Sequence, residues 1–308
     1  MEDYPSNLKE LEERFATDQA CREYLFELRW PDGFRCPRCD HKKAWQASGY
    51  LFRCASCGYK CSITSGTIFE GTRKPLIFWF RAIWWVTSQK NGASVKNVQR
   101  ILELGSYKTA WVWLHKLRRA MVRPIRDRLS GRVEVDEAYI GGEKQGKRGR
   151  GAEGKTLVAV AVEDKGEKKI GRIRLSIIPD ASSASFTTFV QRCVEEGSTI
   201  RTDDWTGYSD LKSSGYFHEI AKSKDLKIAH LVISLLKRWL LGTHQGAVSH
   251  EHLAYYLDEY TFRFNRRTST HRGKLFFRLL QNAMEIDPTK YTTMIRNVRG
   301  RKPKNHKI

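Results

Sequence analysis

The segment Val133-Glu-Val-Asp136-Glu-Ala-Tyr-Ile140 sets an acidic residue in the middle of an otherwise apolar strand. Burying a lone carboxylate there costs several kcal/mol unless a cation offsets it. A second acidic pair, Asp203-Asp204, follows the short strand-like stretch Ile200-Arg-Thr. Paired carboxylates of this kind hold hard cations, Mg2+ or Mn2+, about 4 Å apart across the attacking and leaving oxygens of an in-line phosphoryl transfer. Asp136 and Asp203 are therefore the expected catalytic metal ligands, and a third should come from a later helix. There His230 and Lys237 are separated by two helical turns and share one face, so a metal ligand and a phosphate-binding cation can stand side by side.

A second metal chemistry is written in the cysteines. Cys36-Pro-Arg-Cys39 and Cys54-Ala-Ser-Cys57 form two C-x2-C pairs, the knuckles that a tetrahedral Zn2+ takes from the tips of two hairpins. A closed site of four sulfurs leaves no position for a substrate, so this zinc is expected to fold a small ribbon rather than to catalyse. Cys61 fits neither knuckle, and Cys21 and Cys193 read as small buried apolar residues.

The elements that must position these groups change character along the chain. Residues 6–30 carry apolar side chains at helical spacing up to Trp30-Pro31-Asp32-Gly33, and short Gly- and Cys-punctuated strands follow to about residue 66. Three helical pieces run from Lys74 to about Arg123, broken at Asn91-Gly92 and Gly105-Ser106. The last two, from Ser94 and from Tyr107, have a helix-turn-helix layout. That layout would offer Tyr107, Lys108 and Thr109 to DNA base edges and Lys116, Arg118 and Arg119 to phosphates. Trp79, Trp84, Trp85, Trp111 and Trp113 fall at helical spacing among other apolar residues and read as the core of this block.

After Pro124 the period becomes that of strands: 132–140, 156–163 and 170–178, then a helix over 183–196, a strand over 198–202, and helices near 230–241, 251–266 and 274–284. The fold class expected is α/β, and in the order strand, strand, strand, helix, strand a ribonuclease-H-like sheet would bring the second Asp beside the first. The domain ranges follow: a helical segment over 1–30, the zinc ribbon over 31–70, the helix-turn-helix block over 71–126, the catalytic domain over 127–290 and a basic tail over 291–308.

Charge and composition fit a nucleic-acid partner. Lys and Arg number 55 against 34 Asp and Glu, a net charge of +21, which is more than solubility requires and points to a polyanion. No apolar run is long enough to span a bilayer, and the acidic start Met1-Glu2-Asp3 lacks the pattern of a secretory signal. A cytoplasmic, reducing location is expected, with the cysteines as thiols or metal ligands. The run Gly141–Gly151 reads either as a phosphate-binding flap or as a solvated hairpin loop, and the tail from Arg296 as a disordered contributor of nonspecific DNA affinity.

Four blocks together resemble a bacterial insertion-sequence transposase family: Val133–Gly142, Thr202–Tyr208, Leu236–Gly246 and Tyr256–Arg267. The resemblance runs through nearly the whole chain and implies an N-terminal zinc ribbon and helix-turn-helix ahead of a ribonuclease-H-like DDE domain. It implies that Asp136 and Asp203 bind the metals and that Lys237, with Arg238, contacts DNA. It also implies cleavage at element ends, attack of the exposed 3′-OH on target double-stranded DNA, a homodimer or larger assembly on DNA, and a bacterial, nucleoid-associated location. The chain departs from the pattern in two places. His230 stands where related enzymes carry Glu, and imidazole suits Mn2+ better than Mg2+. Only 26 residues separate Asp203 from His230, so a shortened loop over 219–229 would misplace the third ligand; Glu251 and Glu259 are the other acidic candidates. The rival readings are a zinc-ribbon DNA-binding protein derived from an inactive transposase and a nuclease that uses water alone.

Overall fold

The structure is a computed structural model and describes residues 2–47, 50–123, 126–141, 155–167, 169–246 and 248–296. In chain order its elements are α1 (Leu8–Arg14), α2 (Asp18–Arg29), β1 (Ala44–Gln46), β2 (Leu51–Cys54), β3 (Lys60–Ser62), α3 (Leu76–Ser88), α4 (Val95–Ile101), α5 (Tyr107–Ala120), β4 (Arg132–Ile140), β5 (Thr156–Asp164), β6 (Ile170–Ile177), α6 (Ser183–Cys193), β7 (Thr199–Thr202), β8 (Phe217–Ile220), α7 (Lys227–His244), α8 (Leu253–Asn265), α9 (Arg272–Glu285) and α10 (Tyr291–Arg296). Two compact units result, Met1–Arg123 with Ser269–Ile308, and Pro124–Thr268. Among the described residues no helix is long and apolar enough to cross a membrane.

In the first unit the helical stretch expected over 6–30 is two helices. Thr17 accepts the Ala20 N–H on its side chain and so caps a new start, which ends α1 at Arg14. The antiparallel sheet β1-β2-β3 forms the ribbon and lays Phe52 against Phe26, Trp30 and Phe34. Trp79 and Trp113 stack at 3.9 Å between ring centroids inside the helical block, in the core role expected of them. Helix α9 packs here too: Phe276 lies 5.6 Å from Phe80 and 5.8 Å from Trp84. The compact unit around the large sheet therefore stops at Thr268, short of the residue 290 expected from sequence.

The second unit is α/β with a ribonuclease-H-like sheet of order β6-β5-β4-β7-β8. The strands β4, β5 and β6 pair antiparallel, while β7 and β8 run parallel to β4. Interior β5, Thr-Leu-Val-Ala-Val-Ala-Val, is buried on both faces, as its unbroken apolar run requires. One face packs Val133, Val135, Ala159 and Ala161 against Phe186, Phe189 and Val190 of α6. The other packs Ala138, Ile140, Val158 and Val160 against Ala229, Val232 and Leu236 of α7 and Tyr256 and Tyr260 of α8. At the end of α8, Asn265 exchanges hydrogen bonds with both backbone groups of Ile173 at 2.7 and 3.2 Å, and just beyond it Arg267 donates to the Gly171 and Ile170 carbonyls. These two side chains occupy the open edge of β6 that would otherwise pair with another strand. The Gly141 to Gly151 run, past Gly141, and the tail after Arg296 lie outside the described residues.

Candidate active site

The parallel register of β4 on β7 sets Val133 opposite Ile200 and Glu134 opposite Arg201. The ladder ends there, and two residues further along each segment stand Asp136 and Asp203, near enough for the Asp203 charge to raise the Asp136 pKa. Side chains two apart on a strand share a face, so Glu134 and Asp136 both look toward α7. Glu134 is only 1 % exposed. Its Oε1 accepts from Arg201 at 3.1 Å, and its Oε2 accepts the backbone N–H groups of Ile228 at 3.0 Å and Ala229 at 2.9 Å. Those amides belong to the first turn of α7, where N–H groups lack partners within the helix and the dipole favours an anion. Glu134 thereby moors the start of α7 on β4, and the same turn carries His230 Nε2 to 3.3 Å from Asp136 Oδ2.

Asp136 pays electrostatically for its position. Its pKa is pushed up to about 6, first by burial, and the nearby charges of Glu137 and Asp203 push the same way; the Glu137 N–H, which donates to Oδ1 at 2.8 Å, and His230 oppose them. Half-buried Asp203 is held by its own loop, accepting the Trp205 N–H on Oδ1 at 3.1 Å. Trp205 in turn donates from its indole to the Ala181 carbonyl at 3.1 Å, and a Cβ on Gly207 would fall 2.5 Å from that same carbonyl oxygen. Only glycine lets the chain pass there. Tyr208, 1 % exposed, then donates to Glu137 Oε2 at 2.7 Å. The loop bearing Asp203 is so tied to the residue beside Asp136, from the face opposite α7. Burial, with Glu137 next, raises the Tyr208 pKa, which keeps the phenol a donor.

His230 thus reaches Asp136 despite the short connection, because β8 and a 3-10 turn over Ser223–Asp225 fill it and α7 begins at Lys227. Lys237 and Arg238 are exposed further along α7. Glu259 is buried and bonded to Arg263 at 2.8 Å, a helix-internal pair, whereas Glu251 and Asp204 are exposed. The ligand atoms of Asp136, Asp203 and His230 do not all lie within 4.8 Å of one another; among the described residues only Cys36, Cys39, Cys54 and Cys57 form such a group. Their sulfurs stand 3.6 Å apart in the pairs Cys36 with Cys57 and Cys39 with Cys54, close to the edge of a tetrahedron built on Zn–S bonds of about 2.3 Å. The Cys57 and Ser56 amides pull the Cys54 thiol down to about 7 against its burial.

In the helical block Tyr107, Lys108 and Thr109 stand at the N-terminal turn of α5, the first two exposed, with the Lys108 ammonium 3.8 Å over the Tyr291 ring. Two phosphate-contact expectations are corrected. Arg118 is 1 % exposed and lies within the block, on the same side of α5 as buried Leu114 and Leu117. Lys116 is partly buried and donates to the Ile68 carbonyl at 2.8 Å. The buried arc of α5 is wide, taking in Ala110, Trp113, Leu114, His115, Leu117, Arg118 and Ala120, so it draws in Arg118 and leaves Lys116 at its border. Arg119 keeps a partly exposed place. The residues missed by sequence reasoning are Glu134, Glu137 and Tyr208. Glu134 had a signal, since it shares the face of Asp136 by strand alternation; Tyr208 had none apart from its place in the block after Asp203.

Comparison with known proteins bears on this geometry. Residues 16–60 match the transposase zinc-ribbon domain, and residues 128–265 match the ISXO2-like transposase domain. Together the two matches take in more than half of the chain and contain the four cysteines, Asp136, Asp203 and His230. Both matches are to domains of insertion-sequence transposases, in the order ribbon then catalytic domain. A protein of the transposable element ISH50 from Halobacterium salinarum, itself uncharacterized, is 26% identical over 278 residues, 81% of this chain and 91% of its own length. Among solved structures, a simian T-cell lymphotropic virus intasome in complex with a PP2A regulatory subunit is matched at 14% identity and a TM-score of 0.30, over 52% of this chain and 63% of that one. The Mos1 strand transfer complex is matched at 14% identity and a TM-score of 0.27, over 67% and 75% of the two chains. The ribbon and the sheet are thus the matched parts, and the helical block between them falls outside both matches.

Proposed function

We propose that this chain is a transposase that cuts the ends of its insertion sequence and transfers the exposed 3′-OH strand into target double-stranded DNA. The observation that carries the reading is the nearness of Asp136 and Asp203 just past the end of the β4–β7 ladder: burial first, with the charges of Glu137 and Asp203, raises the Asp136 pKa to about 6. Such a pair calls for a divalent cation to relieve it. Asp136 and Asp203 would hold Mg2+ or Mn2+, with His230 completing the set; bound there, the metal supplies Lewis-acid stabilisation of the phosphoryl oxygens. Helix α7 fixes His230 at the site through Glu134, and exposed Lys237 and Arg238 on that helix would hold the DNA backbone. The four clustered thiols would hold a structural Zn2+, and Tyr107, Lys108 and Thr109 at the start of α5 would read the element ends in a helix-turn-helix manner. Transfer of two ends calls for a homodimer or larger assembly on DNA.

The test is strand transfer of a labelled element-end oligonucleotide into plasmid with Mg2+ or Mn2+. The parent joins DNA, with Mn2+ the better ion because of His230, and Asp136→Asn and Asp203→Asn bind DNA without joining it. A parent that binds but neither cuts nor joins with either ion would return the DNA-binding remnant as the better reading.

A further inference from the structure

The ribbon carries an exposed face that neither its zinc role nor the active site uses. By strand register Trp45 stands opposite Arg53, and Arg53 opposite Lys60, so the three form one row across β1, β2 and β3. The alternate residue Phe52 turns the other way, into the aromatic cluster with Phe26, Trp30 and Phe34. Strand alternation adds Lys43 and Leu51 to the outward face, and all five side chains are exposed, Trp45 by 51 %. An indole this open is unusual, because a Trp normally hides most of its large apolar surface. The Arg53 guanidinium lies 5.8 Å over the Trp45 ring. No Asp or Glu occurs between His41 and Phe69, while Lys42, Lys43, Arg53 and Lys60 fall in that run. The face is therefore positive throughout and offers one flat aromatic surface flanked by cations.

We propose that this face binds single-stranded DNA, Trp45 stacking on an unpaired base while Lys43, Arg53 and Lys60 contact the adjoining phosphates. Phosphates alone would need only the cations. An exposed indole gains from a base whose π-face is free, which a continuous duplex does not present, and Arg beside it reinforces the stack. The inference rests on reading the chain as one that acts on DNA, and it names the strand form that the ribbon receives: the unpaired strand that cutting and joining make available.

Binding decides it without catalysis. The full chain, zinc retained and no Mg2+ or Mn2+ added, is titrated into a labelled oligothymidylate of about 15 nucleotides and, separately, into a blunt duplex of the same length. Trp45→Ala lowers the single-strand affinity by about 5- to 100-fold, Trp45→Phe restores most of it, and duplex affinity stays near that of the parent. Arg53→Ala with Lys60→Ala lowers the slope of log affinity against log salt by roughly 1.4 for the single strand. Equal zinc content in parent and variants certifies the fold. Unchanged single-strand affinity in Trp45→Ala overturns the proposal, and so does a loss confined to the duplex. A chain that fails in strand transfer yet shows the Trp45 effect leaves this site standing while removing the catalytic reading.

Discussion

Glu134 and Asp136 occupy successive positions on the face of β4 that looks toward α7, yet their surroundings treat charge in opposite ways. Glu134 meets Arg201 and two helix amides, so every oxygen of a fully buried carboxylate is satisfied. Asp136 stands near another carboxylate, Asp203, and its pKa climbs to about 6. Glu134 is neutralised by a cation and helix amides, whereas Asp136 carries the added charge of other carboxylates nearby. The difference lies in the neighbours that the β7 segment brings, Arg201 and Asp203, since both acids come from the same strand and face. A buried acid is therefore read by its neighbours before it is read as a ligand.

Four substitutions and one titration break or sharpen this contrast. Glu134→Ala leaves the Arg201 charge and two α7 amides without their acceptor and should destabilise the fold by roughly 3–5 kcal/mol, measured by denaturant unfolding; Glu134→Gln keeps an acceptor and should cost less. At Asp136 the sign reverses. A carboxyl whose pKa is raised in the folded state costs stability as pH climbs from its ordinary value near 4 toward 6, because the folded state holds the proton longer. Asp136→Asn should therefore stabilise the metal-free chain by about 2–3 kcal/mol at pH 7, and this gain should vanish near pH 4. If thermal unfolding across that pH range shows no such trend, the Asp136 carboxylate is not under strain. Tyr208→Phe removes the donor to Glu137 and should cost about 1–3 kcal/mol, with Asp203 less well held; equal Mn2+ affinity in this variant and the parent would show that the Tyr208 tie does not position the site.

Much of this organisation was legible in the sequence. The two C-x2-C pairs, the interrupted apolar strand at Asp136 and the run of three strands, helix and strand each arise from local spacing, and the structure forms the thiol cluster and the sheet order accordingly. Strand β8 was not legible, because Phe-His-Glu-Ile is exposed at nearly every position and has no apolar alternation; its place comes from pairing with β7. The membership of α9 was not legible either, since its apolar face would suit either unit and the choice is made by Phe80 and Trp84, some two hundred residues earlier in the chain. Arg118 misled for a related reason: a basic residue near the end of a helix reads as solvent-facing until the packing of the neighbouring helices is known. The mooring of α7 by Glu134 belongs to the same class, being a contact across about 95 residues that only register reveals.

The central claim is that the Asp136 and Asp203 pair is built for a divalent cation while Glu134 is not. Titration of the zinc-loaded chain with Mn2+, following loss of the free-ion electron paramagnetic resonance signal, tests it most directly. The account predicts that the parent takes up Mn2+, that Asp136→Asn and Asp203→Asn each weaken uptake at least about tenfold, and that folded Glu134→Gln still binds. Undiminished uptake by both Asn variants would contradict it.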